Sequence, residues 1–184
     1  MTFLNQSDLC HEQRRVPQNP STVRNATQDQ QSRFNDAYNE FWKRLHANNG
    51  KNPCADLFGG VKNAENALKG TKFSFGTTEG GASAVTLGKN VTIDPNGIFM
   101  GTSGSQTIQV GFNLRDKQGS YITLNDVQAA AFVLAHETGH RAGKLRSDGN
   151  DPFGFLSVMN NGDVQKACFG DVTPSIGPLP PGFR

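Results

Sequence analysis

The sequence has little of what marks a membrane-spanning or nucleic-acid-binding protein. Its longest apolar run covers residues 129–135, well short of the roughly 20 residues that a helix needs to cross a bilayer. The 18 lysines and arginines barely exceed the 16 aspartates and glutamates, the net charge is +2, and the basic residues are scattered. We therefore predict no membrane span and no nucleic-acid partner.

Cysteine is also scarce. The three cysteines are Cys10, Cys54 and Cys168, and no two of them form a CxxC pair. This odd count and spacing argue against a structural zinc cage of thiolates. One disulfide is compatible with the sequence, and Cys54 with Cys168 is the preferred pair because both lie in segments predicted to be ordered. Buried free thiols fit the pattern equally well.

A signal peptide is not predicted, because residues 1–15 contain no basic segment followed by an apolar stretch. The sequence is equally compatible with a domain cut from a larger secreted polypeptide. The compartment therefore stays open.

The length of 184 residues fits one domain with a sizeable core. Residues 1–28 are rich in polar side chains without an apolar period, and we predict a flexible N-terminal arm. Residues 171–184 are rich in proline and glycine and predict a flexible tail. Residues 29–170 are then the single folded domain.

Two helices are predicted at the start of this domain. The first covers residues 29–47, where large apolar side chains recur at helical spacing: Phe34, Tyr38, Phe41, Trp42 and Leu45. The second covers residues 53–69, begins at Pro53 and has a weak point at Gly59 and Gly60.

The middle of the chain changes to the pattern of short strands. KFSFG, SAVTLG, NVTIDP, IFMG and TIQVGFNL are β-branched or aromatic and are bounded by glycine, asparagine and proline. We predict a small, mostly antiparallel sheet, and with the helices an α+β fold.

The chemistry-bearing segment is VQAAAFVLAHETGHRAG, a predicted helix capped by Asn125 or Asp126 and ended by Gly143. Residues four apart lie above one another on a helix, so His136 and His140 lie close enough to share one ion. Phe132 and Val133 extend the same face, which should pack inward. Two buried neutral imidazoles need a partner, and Zn2+ supplies one for both.

Glu137 is rotated by roughly 100° from His136 around the helix. It is badly placed to bind the same ion, but it can reach a water held by that ion. The sequence thus predicts metal-assisted hydrolysis with Glu137 as general base. The alternative is a satisfied buried histidine pair without a metal.

HETGHRAG at residues 136–143 resembles the zincin metallopeptidases, in which HExxHxxG lies on the active-site helix. The resemblance implies a zincin-like α+β fold, zinc-dependent cleavage of a protein or peptide substrate, and an edge strand that pairs with the substrate backbone. The segments around VTIDP and TIQVGFN are the candidates for that strand.

The resemblance also bears on the third zinc ligand. The metzincin pattern requires it at the position of Arg146, and arginine stays protonated and cannot bind zinc. In aspzincins an aspartate follows at about the distance of Asp148, so Asp148 is the preferred ligand and Asp151 the alternative. His11 and His46 are remote.

A further resemblance concerns SVMN at residues 157–160, which is similar to the methionine turn of metzincins. It would place Met159 beneath the histidines, whereas the plainer interpretation is a core methionine. Arg146 and Tyr121 are candidates to contact substrate, although both residue types are more often at the surface.

The leading functional hypothesis is a monomeric zinc metalloendopeptidase with His136, His140 and Asp148 as ligands. One variant is the protease domain of a toxin or effector released from a larger secreted protein. A second class is a non-catalytic domain with a structural metal or none, which removal of the metal would distinguish by its effect on stability rather than hydrolysis.

Overall fold

The computed structural model describes residues 22–78, 82–149 and 154–180 of the chain. Within these ranges the protein is mixed α+β, with five α-helices and two sheets of three strands each. The helices are α1 (Gln28–Leu45), α2 (Pro53–Leu57), α3 (Val61–Lys69), α4 (Asp126–Arg141) and α5 (Phe155–Cys168). The strands are β1 (Lys72–Phe75), β2 (Ala84–Leu87), β3 (Asn90–Ile93), β4 (Gln106–Asn113), β5 (Gln118–Leu124) and β6 (Ser175–Pro178).

Helix α1 confirms the first predicted helix. Thr27 caps it, and the Gln30 side chain bonds back to the Thr27 backbone, which satisfies two amide groups that the helix leaves unpaired. Phe34, Tyr38, Phe41 and Leu45 of its apolar stripe are buried and Trp42 is half-buried, and α1 packs against α4.

The second predicted helix is divided into α2 and α3. Gly59 and Gly60 between them have φ values of +75° and +105°, which L side chains rarely adopt. The two glycines thus break the helix completely rather than weakening it, because their backbone leaves the right-handed helical region.

The strands form two sheets rather than one. In the first, β3 lies between β1, with which it pairs in parallel, and β2, with which it pairs antiparallel. In the second, β5 lies between β4 and β6, and both pairings are antiparallel. Three of the four pairings are antiparallel, as predicted.

Two segments differ from the predicted strands. IFMG contains a 3-10 helix, Ile98–Met100, because the chain turns here with Gly97 and Gly101 at its two ends. Strand β5 is missed by the sequence pattern, since Gly119 and Ser120 interrupt its apolar alternation.

Helix α4 is the centre of the molecule. Its cap is Asn125, which accepts a hydrogen bond from the Gln128 backbone amide. All residues from 129 to 139 are buried, so α4 is enclosed on every side rather than on the one face that the sequence predicted. It packs against α1, α3, α5 and β2. Among the helices of the described ranges, none is long and apolar enough to cross a membrane.

Helix α5 corrects the interpretation of Met159. The segment SVMN lies inside this helix and is not a turn. The side chain of Met159 is 48% exposed, so it is neither a support beneath the histidines nor a core residue. The buried residues of α5 next to it are Val158, Asn160 and Gly162.

Both ends that the sequence predicts to be flexible contribute residues to the described fold. Residues 175–178 form β6 along the free edge of β5, where the Tyr121 hydroxyl donates a hydrogen bond to the Pro178 carbonyl. Near the other end, Val23 is buried and Arg24 bridges to Ser74 of β1. The rest of the predicted arm, residues 1–21, and residues 181–184 lie outside the described ranges.

A disulfide joins Cys54 in α2 to Cys168 at the end of α5, as the preferred pairing predicts. The two residues are 114 positions apart in sequence, and both are buried. The bond therefore closes a long loop that contains α3, α4 and all the strands except β6.

Replacing both cysteines, as Cys54→Ser with Cys168→Ser, should lower the free energy of unfolding by about 4 kcal/mol. The reason is that the unfolded chain regains the entropy that a cross-link over a loop of this length removes. Urea denaturation of the oxidised protein measures the change, and Cys10→Ser is the control. Equal unfolding free energies for the double variant and the control would contradict the prediction.

Candidate metal centre

Three predicted site residues come together at the C-terminal end of α4. His136 and His140 lie one turn apart on that helix, and Asp148 lies on the loop that follows it. The Nε2 atoms of the histidines are 2.9 Å apart. Oδ2 of Asp148 is 3.1 Å from Nε2 of His136 and 3.5 Å from Nε2 of His140. Three potential ligand atoms therefore surround one point.

The chain returns to this point through a tight turn after α4. Gly143 has a φ of +65°, and the amides of Lys144 and Leu145 both donate to the Gly139 carbonyl. A Cβ atom at Gly139 would lie 2.5 Å from the side chain of Leu145, which is buried. Gly139, inside HETGH, thus permits the close approach that brings Asp148 back to the histidines.

The spacing of the three atoms fits a tetrahedral metal ion. Ligand atoms at the usual bond lengths around Zn2+ lie about 3.3 Å from one another. The observed separations of 2.9, 3.1 and 3.5 Å bracket that value. Two imidazoles and one carboxylate also form a donor set that zinc accepts in catalytic sites, with a fourth position left for solvent or substrate.

The charges of the cluster favour a cation. Burial opposes a positive charge on His136, but the hydrogen bond to Asp148 and the negative charges of Glu137 and Asp148 outweigh it and raise the pKa of His136. Burial likewise opposes ionisation of Asp148, yet hydrogen bonds with His136 and His140 hold the pKa of this carboxyl far below its usual range. The carboxylate therefore attracts a positive charge into the cluster. Either a proton on a histidine or a divalent metal ion can supply that charge.

Two asparagines of α5 contact the potential ligand residues. Oδ1 of Asn161 lies 2.9 Å from Nδ1 of His136, and Nδ2 of Asn160 donates to Oδ1 of Asp148 over 2.6 Å. Sequence reasoning missed both, although it singled out the segment that contains Asn160. The signal in the sequence is a pair of adjacent asparagines, but no local pattern shows that they lie beside the histidines.

Glu137 is next to the cluster but is not part of it. Its side chain is buried, and Oε2 accepts a hydrogen bond of 2.5 Å from the Thr86 hydroxyl on β2. This contact, also missed by sequence reasoning, joins residues 51 positions apart. The carboxylate is thus held separately from the three potential ligands.

Of the remaining sequence candidates, those in the described residues, His46 and Arg146, are not part of the cluster. Asp151 and His11 lie outside the described residues. His46 stacks on Trp42 and pairs with Glu65 in another part of the molecule. Arg146 is exposed, and its backbone carbonyl accepts from Asn160.

Access to the cluster is from the side of Asp148, whose side chain is 38% exposed. A groove of about 410 Å³ adjoins Asn160 and is also lined by Lys144, Arg146, Leu156, Met159 and Asp163. A larger cleft of about 620 Å³ includes Asn125 and Asp126 at the other end of α4, about 15 Å from His136 along the helix. Its charged groups, such as Arg44 with Glu40 and Asp171, pair with each other.

Comparison of the chain with protein-family models, with curated proteins and with solved structures found no match.

Proposed function

We propose that the chain is a zinc-dependent hydrolase of peptide bonds, a metalloendopeptidase. The observation that carries this proposal is the convergence of His136, His140 and Asp148 beside a glutamate that is left out of their cluster. A closed structural site has no use for such a carboxylate, whereas metal-assisted hydrolysis requires a base. The resemblance of HETGHRAG to the zincin motif supports the same function.

The residues that would hold the ion are the two histidines, through Nε2, and Asp148, through Oδ2. A Zn2+ ion bound there supplies Lewis-acid chemistry, which polarises a carbonyl group and makes water more acidic. A zincin-like arrangement of the fold is part of this proposal, since α4 carries the motif and β2 packs against it.

The proposed role of Glu137 is proton transfer. One carboxylate oxygen is held by Thr86, which fixes the direction of the other. The carboxylate accepts a proton from water as the water attacks the peptide carbonyl, and it then delivers that proton to the leaving nitrogen.

The proposed substrate strand is β2 rather than either segment that the sequence indicated. VTIDP contains most of β3, which lies in the middle of its sheet and has no free edge. TIQVGFN contains most of β4, which is an edge strand, but its Gln109 carbonyl accepts a hydrogen bond from Asn161 of α5. Strand β2 is an edge of its sheet in the described part of the chain, and its Thr86 contacts Glu137. An extended peptide paired with β2 would lie beside the proposed base.

Zinc analysis and a cleavage assay on the purified chain test this proposal. We expect one zinc per chain and cleavage of a mixture of unstructured peptides, detected by mass spectrometry. A chelator should stop cleavage, and added zinc should restore it. A zinc-loaded chain that melts at lower temperature after chelation but cleaves no peptide would instead indicate a structural metal.

A further inference from the structure

The Asn161 side chain is held at both ends. Its Nδ2 lies 3.0 Å from the backbone carbonyl oxygen of Gln109 on β4, and its Oδ1 lies 2.9 Å from Nδ1 of His136. A carbonyl oxygen can only accept a hydrogen bond, so the group facing Gln109 must be the amide nitrogen. This fixes the orientation of the amide and leaves its oxygen towards His136.

The orientation of this amide determines the tautomer of His136. An amide oxygen cannot donate, so Nδ1 of His136 must carry the hydrogen of that contact. The neutral imidazole then has its lone pair on Nε2, the atom that faces Asp148 and His140. Asn161 thus selects the form of His136 that can bind a metal.

Asn160 acts on the carboxylate in a similar way. Its Nδ2 donates to Oδ1 of Asp148 and to the backbone carbonyl of Arg146, over 2.6 and 2.8 Å. These two bonds tie the loop after α4 to α5. They occupy Oδ1 of Asp148 and leave Oδ2, the oxygen nearest the histidines.

The backbone of β4 is unusually close to α5 at this place. A Cβ atom at Gly162 would lie 2.6 Å from the Val110 carbonyl oxygen, so only glycine allows this approach. The pairing of β4 with β5 shifts register between Gln109 and Gly111. Such bulges often lie beside functional sites, where they redirect backbone groups.

We propose that Asn160 and Asn161 are positioning residues that preorganise the metal centre: Asn161 orients His136 and selects its tautomer, and Asn160 directs one carboxylate oxygen of Asp148 towards the histidines. The inference rests on the metal-binding part of the proposed function. It goes beyond that function because it assigns the selection of ligand atoms to α5, an element outside the HETGH helix. Loss of such a contact typically weakens metal affinity by about 10- to 100-fold.

The test compares zinc dissociation constants for the full chain and three variants, measured by competition with a chromogenic chelator. Asn161→Leu removes both hydrogen bonds of this side chain. Asn161→Asp keeps an acceptor for Nδ1 of His136 but loses the donor to Gln109. Asn63→Leu is the matched control, since the Asn63 amide likewise bonds a backbone carbonyl, that of Phe58, but is not among the residues of the cluster. Thermal unfolding with chelator present gives the stability of each metal-free chain.

We expect Asn161→Leu to bind zinc 10- to 100-fold more weakly, Asn161→Asp to stay within about 3-fold of the unaltered chain, and Asn63→Leu to be unchanged. A purely structural role would instead lower the stability of both Asn161 variants and give them the same zinc affinity. Equal affinity of Asn161→Leu and the unaltered chain, or a loss in Asn161→Asp as large as in Asn161→Leu, would overturn the inference.

Two further outcomes are also decisive. If Asn161→Leu does not fold, the zinc affinity of Asn161→Asp decides. An affinity within 3-fold of that of the unaltered chain supports the inference, and a 10-fold loss of affinity overturns it. If the unaltered chain binds no zinc, the proposed function fails and the inference fails with it. If the unaltered chain and all variants bind zinc equally well, only the inference fails. The visible spectrum of the Co2+-loaded chains adds a readout of ligand geometry that does not depend on activity.

Discussion

Glu137→Gln should lower kcat/KM for peptide cleavage by about 10²- to 10⁴-fold and leave one zinc bound per chain. The size of the loss is that typical of removing a general base. The amide keeps the shape of the carboxylate, and its oxygen still accepts the Thr86 hydrogen bond, so the packing of α4 against β2 is retained. What is lost is the negative oxygen that accepts a proton from water.

Zinc content, unfolding temperature and cleavage rate are measured on the same preparation. Glu65→Gln is the matched control, because Glu65 pairs with His46 in another part of the molecule. It should keep both zinc and activity. Cleavage by Glu137→Gln at the rate of this control would contradict the proposed mechanism. Loss of zinc together with activity would show that Glu137 belongs to the metal site, whereas its carboxylate is not among the potential ligands grouped there in the described residues.

The features of the site that follow from local backbone rules can be read from the sequence. His136 and His140 are four residues apart on a helix, so their proximity needs only the helix itself. Gly143 and the return of the chain after α4 also follow from a local pattern, that of a C-terminal glycine with positive φ. The absence of a side chain at Gly139, where a Cβ atom would meet the buried Leu145, is a further local feature of this turn.

The contacts that hold the site in place come from distant segments, and no local pattern predicts them. Thr86 reaches Glu137 across 51 residues, and Asn161 reaches His136 across 25. Both depend on how β2 and α5 pack on α4. The division of the strands into two sheets is of the same kind, because it is set by pairing between segments that lie apart in the sequence.

Asp148→Ala should weaken zinc binding more than 100-fold and reduce cleavage to background. The reason is that Oδ2 of Asp148 is the one negatively charged atom within the cluster of potential ligands in the described residues. Without it, two neutral imidazoles remain, and the charge that offsets a divalent ion is removed. The loss of zinc affinity should exceed the 10- to 100-fold loss that is typical of removing a residue that only hydrogen-bonds to a ligand.

Asp151→Ala is the informative comparison, because Asp151 is the alternative third ligand and lies outside the described residues. We expect it to bind zinc and cleave peptides as the unaltered chain does. Asp163→Ala, which removes an exposed carboxylate from the adjoining groove, is a second control. Unfolding in the presence of chelator shows whether each variant keeps the metal-free fold.

The two alternatives give opposite patterns. If Asp151→Ala loses zinc and Asp148→Ala retains it, the ligand is Asp151, and the contact of Asp148 with the histidines belongs only to the metal-free chain. If both variants retain zinc, the ion does not require either carboxylate, and the resemblance to aspzincins fails at the ligand that distinguishes them. Only loss in Asp148→Ala alone agrees with a centre in which α4 supplies two ligands, the following loop supplies the third, and α5 holds that loop in place.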